Sequence, residues 1–284
     1  MAIVINTNTI SNKLLNNLED ASNAYKSAVE KLSTGIKINS AADDPSGFAI
    51  AKGLEVQTRG AAIASSNIDS GINLVKTAEG VLDVVQDNLM RIRDLALEAM
   101  NGTYSEKELK ALESEAKARA QEIDRLSKNA KFNDFTVFDT SKTYSDYILI
   151  QVGTGAEQAT NTIKIDKVFY GATMSSLCTA LNSSTLAFSS TRSEMETLVG
   201  NIDKAIGNVT ERITTAGYSM NRLETAKDAL NVMSENILSA HSTIVDTDVA
   251  RTSSEYTKQY IMQQTVTSLL TQANQMPSLA MSLI

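Results

Sequence analysis

Counting alternately by three and four from Ala61 lands on Ala64, Ile68, Gly71, Val75, Ala78, Leu82, Val85, Leu89, Ile92, Ala96 and Ala99 without meeting a charged or polar side chain. A three-four repeat places its members on one stripe of an α-helix, and its narrow form suits long helices packed side by side. The spacing predicts a helix of about 60 Å at 1.5 Å per residue, stopping near Gly102, a residue suited to a helix end. Upstream, Asp44 followed by Pro45 has the form of an N-cap and first helical position rather than of a cation site. Ser105 with Glu108 three residues on forms a capping box, opening a second helix whose apolar face is Leu109, Leu112, Ala116, Ile123 and Leu126. The two helices are expected to form a hairpin.

Another seam begins near Thr191, where Glu194 suggests a further capping box. It runs through Met195, Leu198, Ile202, Ala205, Val209, Arg212, Ala216, Ser219, Leu223, Ala226, Leu230, Met233, Ile237, Ala240 and Ile244, broken only by Arg212 and Ser219. Between the helical blocks the period falls to two: residues 147–152 (YILIQV) and 162–169 (TIKIDKVF) read as short strands. Gly153-Thr154-Gly155 lacks the third glycine and following helix of a dinucleotide site, so a hairpin turn is expected there. Residues 171–190, rich in Ser, Thr and Ala, read as a surface connector with little structure.

The chain ends carry narrower stripes of the same kind. One is Leu14, Leu18, Ala21, Tyr25, Ala28 and Leu32; the other is Met262, Val266, Leu269, Ala273, Met276, Ala280 and Leu283. A lone helix with one stripe buries too little to offset its ordering entropy, so both ends are expected to be largely disordered in the free chain and to fold together on assembly. From Gln259 to Ile284 no residue is charged. An exposed helix ordinarily carries charge, which points this tail toward packing within an assembly. The fold class that follows is mainly α: a long coiled-coil-like helical bundle with a small β-hairpin region, its terminal helices paired as an inner domain.

Composition narrows the function classes. The 284 residues are 42% hydrophobic, with a net charge of −7, so the chain can bury a core but lacks the basic face that phosphate backbones require. Nucleic acid is not an expected partner. A single cysteine, Cys178, and a single histidine, His241, leave no disulfide framework and too few soft ligands for zinc. No catalytic constellation emerges, so the expectation is a non-enzyme without cofactor or metal. No run approaches the roughly 18 apolar residues of a membrane span, and residues 1–12 have no Sec-type leader pattern. No membrane insertion is expected, and any export should leave the N-terminus intact.

Residues 32–51 (LSTGIKINSAADDPSGFAIA) resemble the N-terminal signature of bacterial flagellin, as do residues 88–96 (NLMRIRDLA), 122–125 (EIDR), Phe132-Asn133 and 150–153 (IQVG). Residues 217–223 (GYSMNRL) and 272–277 (QANQMP) resemble its C-terminal signature. The resemblance implies a short form lacking the large outer domains. It divides the chain into residues 1–42 and 246–284 as halves of an inner assembly domain, 43–170 and 191–245 as parts of a long-helix domain with the hairpin, and 171–190 as the connector in place of outer domains. It further implies a secreted, extracellular filament subunit that pairs with itself through Leu14, Leu18, Ala21, Tyr25, Leu32, Met262, Val266, Leu269, Ala273, Met276 and Leu283. Its implied partners are the flagellar export apparatus, an export chaperone, the filament cap and an animal Toll-like receptor met through Arg91, Leu95 and Glu115. A hook–filament junction protein shares similar terminal helices, and a coiled-coil sensor fragment could share the seams; neither is separated from the filament reading by periodicity alone.

Overall fold

The computed structural model describes residues 8–138, 147–183, 186–188 and 191–281. In chain order the elements are α1 (Thr9–Thr34), α2 (Pro45–Ala99), α3 (Glu106–Asn129), β1 (Lys131–Phe132), β2 (Phe135–Thr136), β3 (Tyr147–Gln151), α4 (Gln158–Asn161), β4 (Thr162–Asp166), α5 (Met174–Leu177), α6 (Arg192–Val245) and α7 (Val249–Met281). They divide into two compact units, residues 59–234 and residues 1–58 with 235–284.

In the unit of residues 59–234, the stripe counted from Ala61 is the core. Ile68, Val75, Ala78, Leu82, Val85, Leu89, Ile92 and Ala96 have no exposed surface at all. The facing stripe of α6 behaves alike, with Ile202, Ala205, Val209, Ala216 and Leu223 fully enclosed. Each large aliphatic side chain so enclosed is worth about 1.5–3 kcal/mol of burial. The helices run in opposite directions, tied at their edges by Arg93–Asp203 and Lys227–Asp69, both at 2.6 Å. Beyond Leu230 the α6 stripe loses its cover, and Met233 and Ala240 are exposed.

Helix α2 spans 55 residues from Pro45, longer than the stripe alone indicates. Asp44 does cap it: Oδ1 accepts the Ser46 and Gly47 N–H groups at 3.1 and 3.0 Å. The α3 capping box is also present, with Glu108 Oε2 accepting the Ser105 N–H at 2.7 Å. Ala116, Ala120 and Ile123 bury the inner face of α3, while Leu109, Leu112 and Leu126 pack beside it half-buried.

Strands β3 and β4 pair antiparallel, with Ile148 opposite Ile165 and Ile150 opposite Ile163. Gly71 lets this hairpin approach α2, because a methyl there would stand 3.2 Å from the Ile150 side chain. Gly153 and Gly155 form the turn, as the sequence predicts, with Asn161 Oδ1 accepting the Gly155 N–H at 3.1 Å. A smaller hairpin, β1–β2, escapes the sequence pattern. Its strands have two residues each, too few to alternate, and its turn uses Asn133 and Asp134 at φ of 47° and 63°, the left-handed pair of a tight β-turn.

The described residues 171–183 and 186–188 differ from their expected role as a loosely structured surface connector. Ala172, Met174, Leu177, Leu181 and Leu186 are buried. Asp124 of α3 accepts the Met174 N–H at 2.9 Å and the Ser183 hydroxyl, Ser127 accepts the Ala172 N–H, and Asn208 of α6 donates to the Leu177 carbonyl at 2.6 Å. The Ser-, Thr- and Ala-rich composition that reads as a loose linker belongs instead to a segment packed over the bundle.

Candidate assembly surface

In the unit of residues 1–58 with 235–284, α1 and α7 lie antiparallel. Their closest packing uses small residues: Ala21 and Ala28 are 1% and 3% exposed, and Val266 is 7% exposed. The Tyr25 ring meets that of Tyr256 with centroids 5.0 Å apart and Tyr260 at 6.2 Å. The Tyr25 hydroxyl donates to that of Tyr256 at 3.4 Å, and this bond first, then burial, raises its pKa. Leu14, Leu18 and Leu32 are half-buried along the same face of α1.

The far end of the pair is closed by backbone. Gly35 takes a left-handed φ of 73° at the end of α1 and returns its N–H to the Lys31 carbonyl. Lys37 N–H then donates to Val245 O at 2.6 Å, and Thr247 N–H to Gly35 O at 2.9 Å. The short segment between α6 and α7 is thereby stitched to the segment between α1 and α2. Asp43 fastens the latter: it accepts the Ser40 and Asn39 N–H groups and the Ser40 hydroxyl, which hold its carboxyl below the usual aspartate range.

The face of α7 turned to α1 is displaced by about one position from the stripe read in the sequence. Val266 and Ala273 lie on it as expected, joined by Tyr256, Gln259, Gln263 and Leu270. Met262 and Leu269 remain 39% and 43% exposed. The side chain of Met276 and the whole of Leu283 lie outside the described residues. The reason is a second apolar line: α7 carries leucines at both 269 and 270, about 100° apart on a helix, and a single partner helix covers only one of them. The uncovered line continues to Ile261 at 55% exposure, and α1 adds Leu15 and Val29 at 47% and 39%, two heptads apart and so on one edge. Hydroxyls on α7 turn inward to its own backbone, with Thr265, Thr267 and Thr271 each donating to the carbonyl four residues earlier. The α1–α7 pair therefore leaves apolar side chains exposed on both helices, and on α7 they stand on a stretch that carries no charge beyond Lys258.

The residues proposed for a receptor behave differently from one another. Arg91 Nε donates to Glu115 Oε1 at 3.0 Å on the surface, and this bond raises the arginine pKa further. Arg119 joins them, 3.8 Å from Glu115 and 3.3 Å from Asn88 Oδ1. Leu95 is fully buried and supports the patch from below instead of offering a surface.

Arg212, an interruption of the α6 stripe in the sequence, is a buried anchor for the segment after β4. The residue is 1% exposed, with Nη2 donating to the carbonyls of Val168 and Tyr170 at 2.7 and 2.6 Å and Nη1 to that of Gly171 at 3.2 Å. It also lies 4.1 Å from the Tyr170 ring centroid and 5.3 Å from that of Phe138. The signal was available: a lone charge on an otherwise apolar seam needs a buried reason.

Among the described residues no cluster of three or more His, Cys, Asp or Glu could hold a metal ion, and no helix is long and apolar enough to cross a membrane.

Comparison with known proteins fits this geometry. The family described as the bacterial flagellin N-terminal helical region matches residues 5–143, and its C-terminal counterpart matches residues 199–284. A flagellin of Halalkalibacterium halodurans is 33% identical, covering 99% of this chain and all of that protein. A flagellar filament 31.3 kDa core protein of Treponema maltophilum is 31% identical over 87% of each chain. In contrast, the phase 1 flagellin of Salmonella naestved, 40% identical over 59% of this chain, is matched over only 32% of its own length. A putative flagellar hook-associated protein from Vibrio parahaemolyticus, 20% identical, shares the fold at a TM-score of 0.59, over 72% of this chain and all of that one. The two ends of the chain, its helical architecture and its full-length relatives agree: the chain belongs to the bacterial flagellin family, as a short form without large outer domains.

Proposed function

We propose that this chain is a structural subunit that polymerises with copies of itself into a bacterial flagellar filament, and that it has no catalytic role. The observation that carries the reading is the second apolar line of α7. Ile261, Met262 and Leu269 stand exposed on a helix without charge beyond Lys258, a surface that gains from being covered. A copy of the same chain supplies the matching surface, since α1 and α7 expose apolar edges on one element. On this reading Leu14, Leu18, Ala21, Tyr25, Leu32, Val266 and Ala273 hold the pair together, while Met262 and Leu269 meet a neighbouring subunit. The full-length match to a flagellin favours the filament over a junction protein, for which the hook-associated likeness supports the fold alone.

Membership of the family supports the remaining roles. The chain passes unfolded through the flagellar export apparatus, escorted by a chaperone, and adds beneath a cap outside the cell. The uncharged tail suits a surface past which later subunits travel. An animal Toll-like receptor meets the bundle at Arg91 and Glu115, with Leu95 fixing the backbone beneath them; planar bidentate donors of this kind are frequent anchors at interfaces.

Purified chain mixed with short filament seeds tests the assembly reading by electron microscopy. Seeds that lengthen into filaments are the expected result; seeds of unchanged length, with the chain still folded, contradict it.

A further inference from the structure

Pro277 lies within α7. Proline has no backbone N–H, so the carbonyl four residues earlier, that of Ala273, loses its helical donor. Asn8 Nδ2 donates to that carbonyl at 3.0 Å. The Oδ1 of the same amide accepts the Ser11 N–H at 3.0 Å and caps α1. The amide's orientation is fixed by both bonds, because exchanging its O and N would set oxygen against the Ala273 carbonyl and a donor against the Ser11 N–H. Beside them the Ser11 hydroxyl donates to Asn274 Oδ1 at 3.1 Å. The first turn of α1 therefore lies along the proline break.

We propose that Asn8 is the positioning residue that sets the register of α1 on α7, and that Pro277 makes this register unique by leaving one carbonyl for Asn8 to satisfy. Apolar contacts alone define the register poorly. Ala21 and Ala28 are a heptad apart, so α1 could slide by a repeat and present similar small residues to α7. A polar contact does not repeat. Sliding α1 by one turn carries Asn8 about 5.4 Å from Ala273, stranding the carbonyl and displacing the capped end from its partner. One amide thus serves both ends: it caps α1 and supplies the donor that the Ala273 carbonyl lacks. The device deepens the filament reading and its functional value rests on it: a polymer repeats any register error in every subunit.

The test is a double-mutant cycle in the full chain with Asn8→Asp, Pro277→Ala and the pair. Aspartate caps helices as well as asparagine does, so Asn8→Asp keeps the α1 cap while replacing the donor to the Ala273 carbonyl by an acceptor. Pro277→Ala restores a helical N–H to the Ala273 carbonyl. Trypsin cleavage after the exposed Lys13 is followed in sedimented polymer or, if none forms, in the free chain. Asn8→Asp should speed cleavage about tenfold in the native background and less than about twofold beside Pro277→Ala. Equal effects in both backgrounds, no effect in the first, or native cleavage as fast as in urea would overturn the proposal. Failure of the native chain to polymerise, with the cycle still showing coupling, counts against the filament reading and leaves the register device standing.

Discussion

The bundle of residues 59–234 and the α1–α7 pair are built on the same three-four pattern yet end in different states. In the bundle, Leu82, Leu89 and Ile92 are wholly enclosed by α6, α3, the β3–β4 hairpin and the packed segment after it. In the pair, Ala21 and Ala28 are the buried residues of α1, Leu14, Leu18 and Leu32 are half-buried, and Leu269 faces outward. The difference lies in the number of partners, not in the stripe. A helix with several neighbours buries a wide face, whereas a helix with one neighbour buries a narrow one and leaves the rest for whatever comes next. A seam in a sequence therefore reports that a helix will pack, and the surrounding elements decide whether it packs within the chain or between chains.

Breaking the closed side should have the largest effect on folding. Arg212→Leu fills the space with carbon but strands the carbonyls of Val168, Tyr170 and Gly171, each at a cost of about 1–3 kcal/mol. The bundle should lose at least about 3 kcal/mol in urea unfolding. Arg212→Lys retains the charge without the planar fork and should lose less. Equal stability of Arg212→Leu and the native chain would show that the guanidinium does not organise the segment after β4.

A smaller effect, confined to recognition, is expected at Arg91. Because its ion pair with Glu115 is at the surface, Arg91→Ala should leave the melting temperature of the bundle in place while weakening binding to the receptor ectodomain in a surface-plasmon measurement. Unchanged binding would remove this patch from the account. Leu95→Ala should act in the reverse order, lowering stability by about 2–5 kcal/mol through the cavity it leaves.

The smallest effect belongs to the stitched segment between α1 and α2. Asp43 and Asp44 have lowered pKa values, chiefly through the Ser40 and Gly47 N–H groups respectively. A depressed carboxyl stabilises the fold fully above its unfolded value of about 3.9 and loses that contribution as pH falls below it. Amide exchange, corrected for its intrinsic pH dependence, should show Ser40, Ser46 and Gly47 losing protection below about pH 4 while the α2 core keeps its own. Flat protection through that range would mean that the carboxylates do not hold the segment.

Much of this was legible in the sequence because it depends on local rules. The α2 and α6 seams, the Asp44–Pro45 start, the Ser105–Glu108 box and the Gly153–Gly155 turn are each set by residues within a few positions of one another. What escaped depends on distance. Arg212 finds its carbonyls more than 40 positions away in the chain, and Asp124 meets Met174 and Ser183 across a similar gap. Nothing in the spacing of residues 171–190 announced those partners. On the assembly surface, periodicity identifies α7 as a packing helix but puts Leu269 on its inner stripe, whereas the position of α1 selects Leu270.

That choice is where the account is most exposed, and Leu269→Asp tests it directly. The native chain and the variant are compared by circular dichroism melting and by sedimentation after seeding. Leu269 contributes little to the folded chain by itself, so melting should be the same for both. In the polymer a carboxylate at this position would be buried without a partner in every subunit, a cost of several kcal/mol each, about enough to abolish growth. Native chain in the pellet and variant in the supernatant is the predicted result; a variant that sediments like the native chain would contradict the claim that the outer face of α7 is held for a neighbouring subunit.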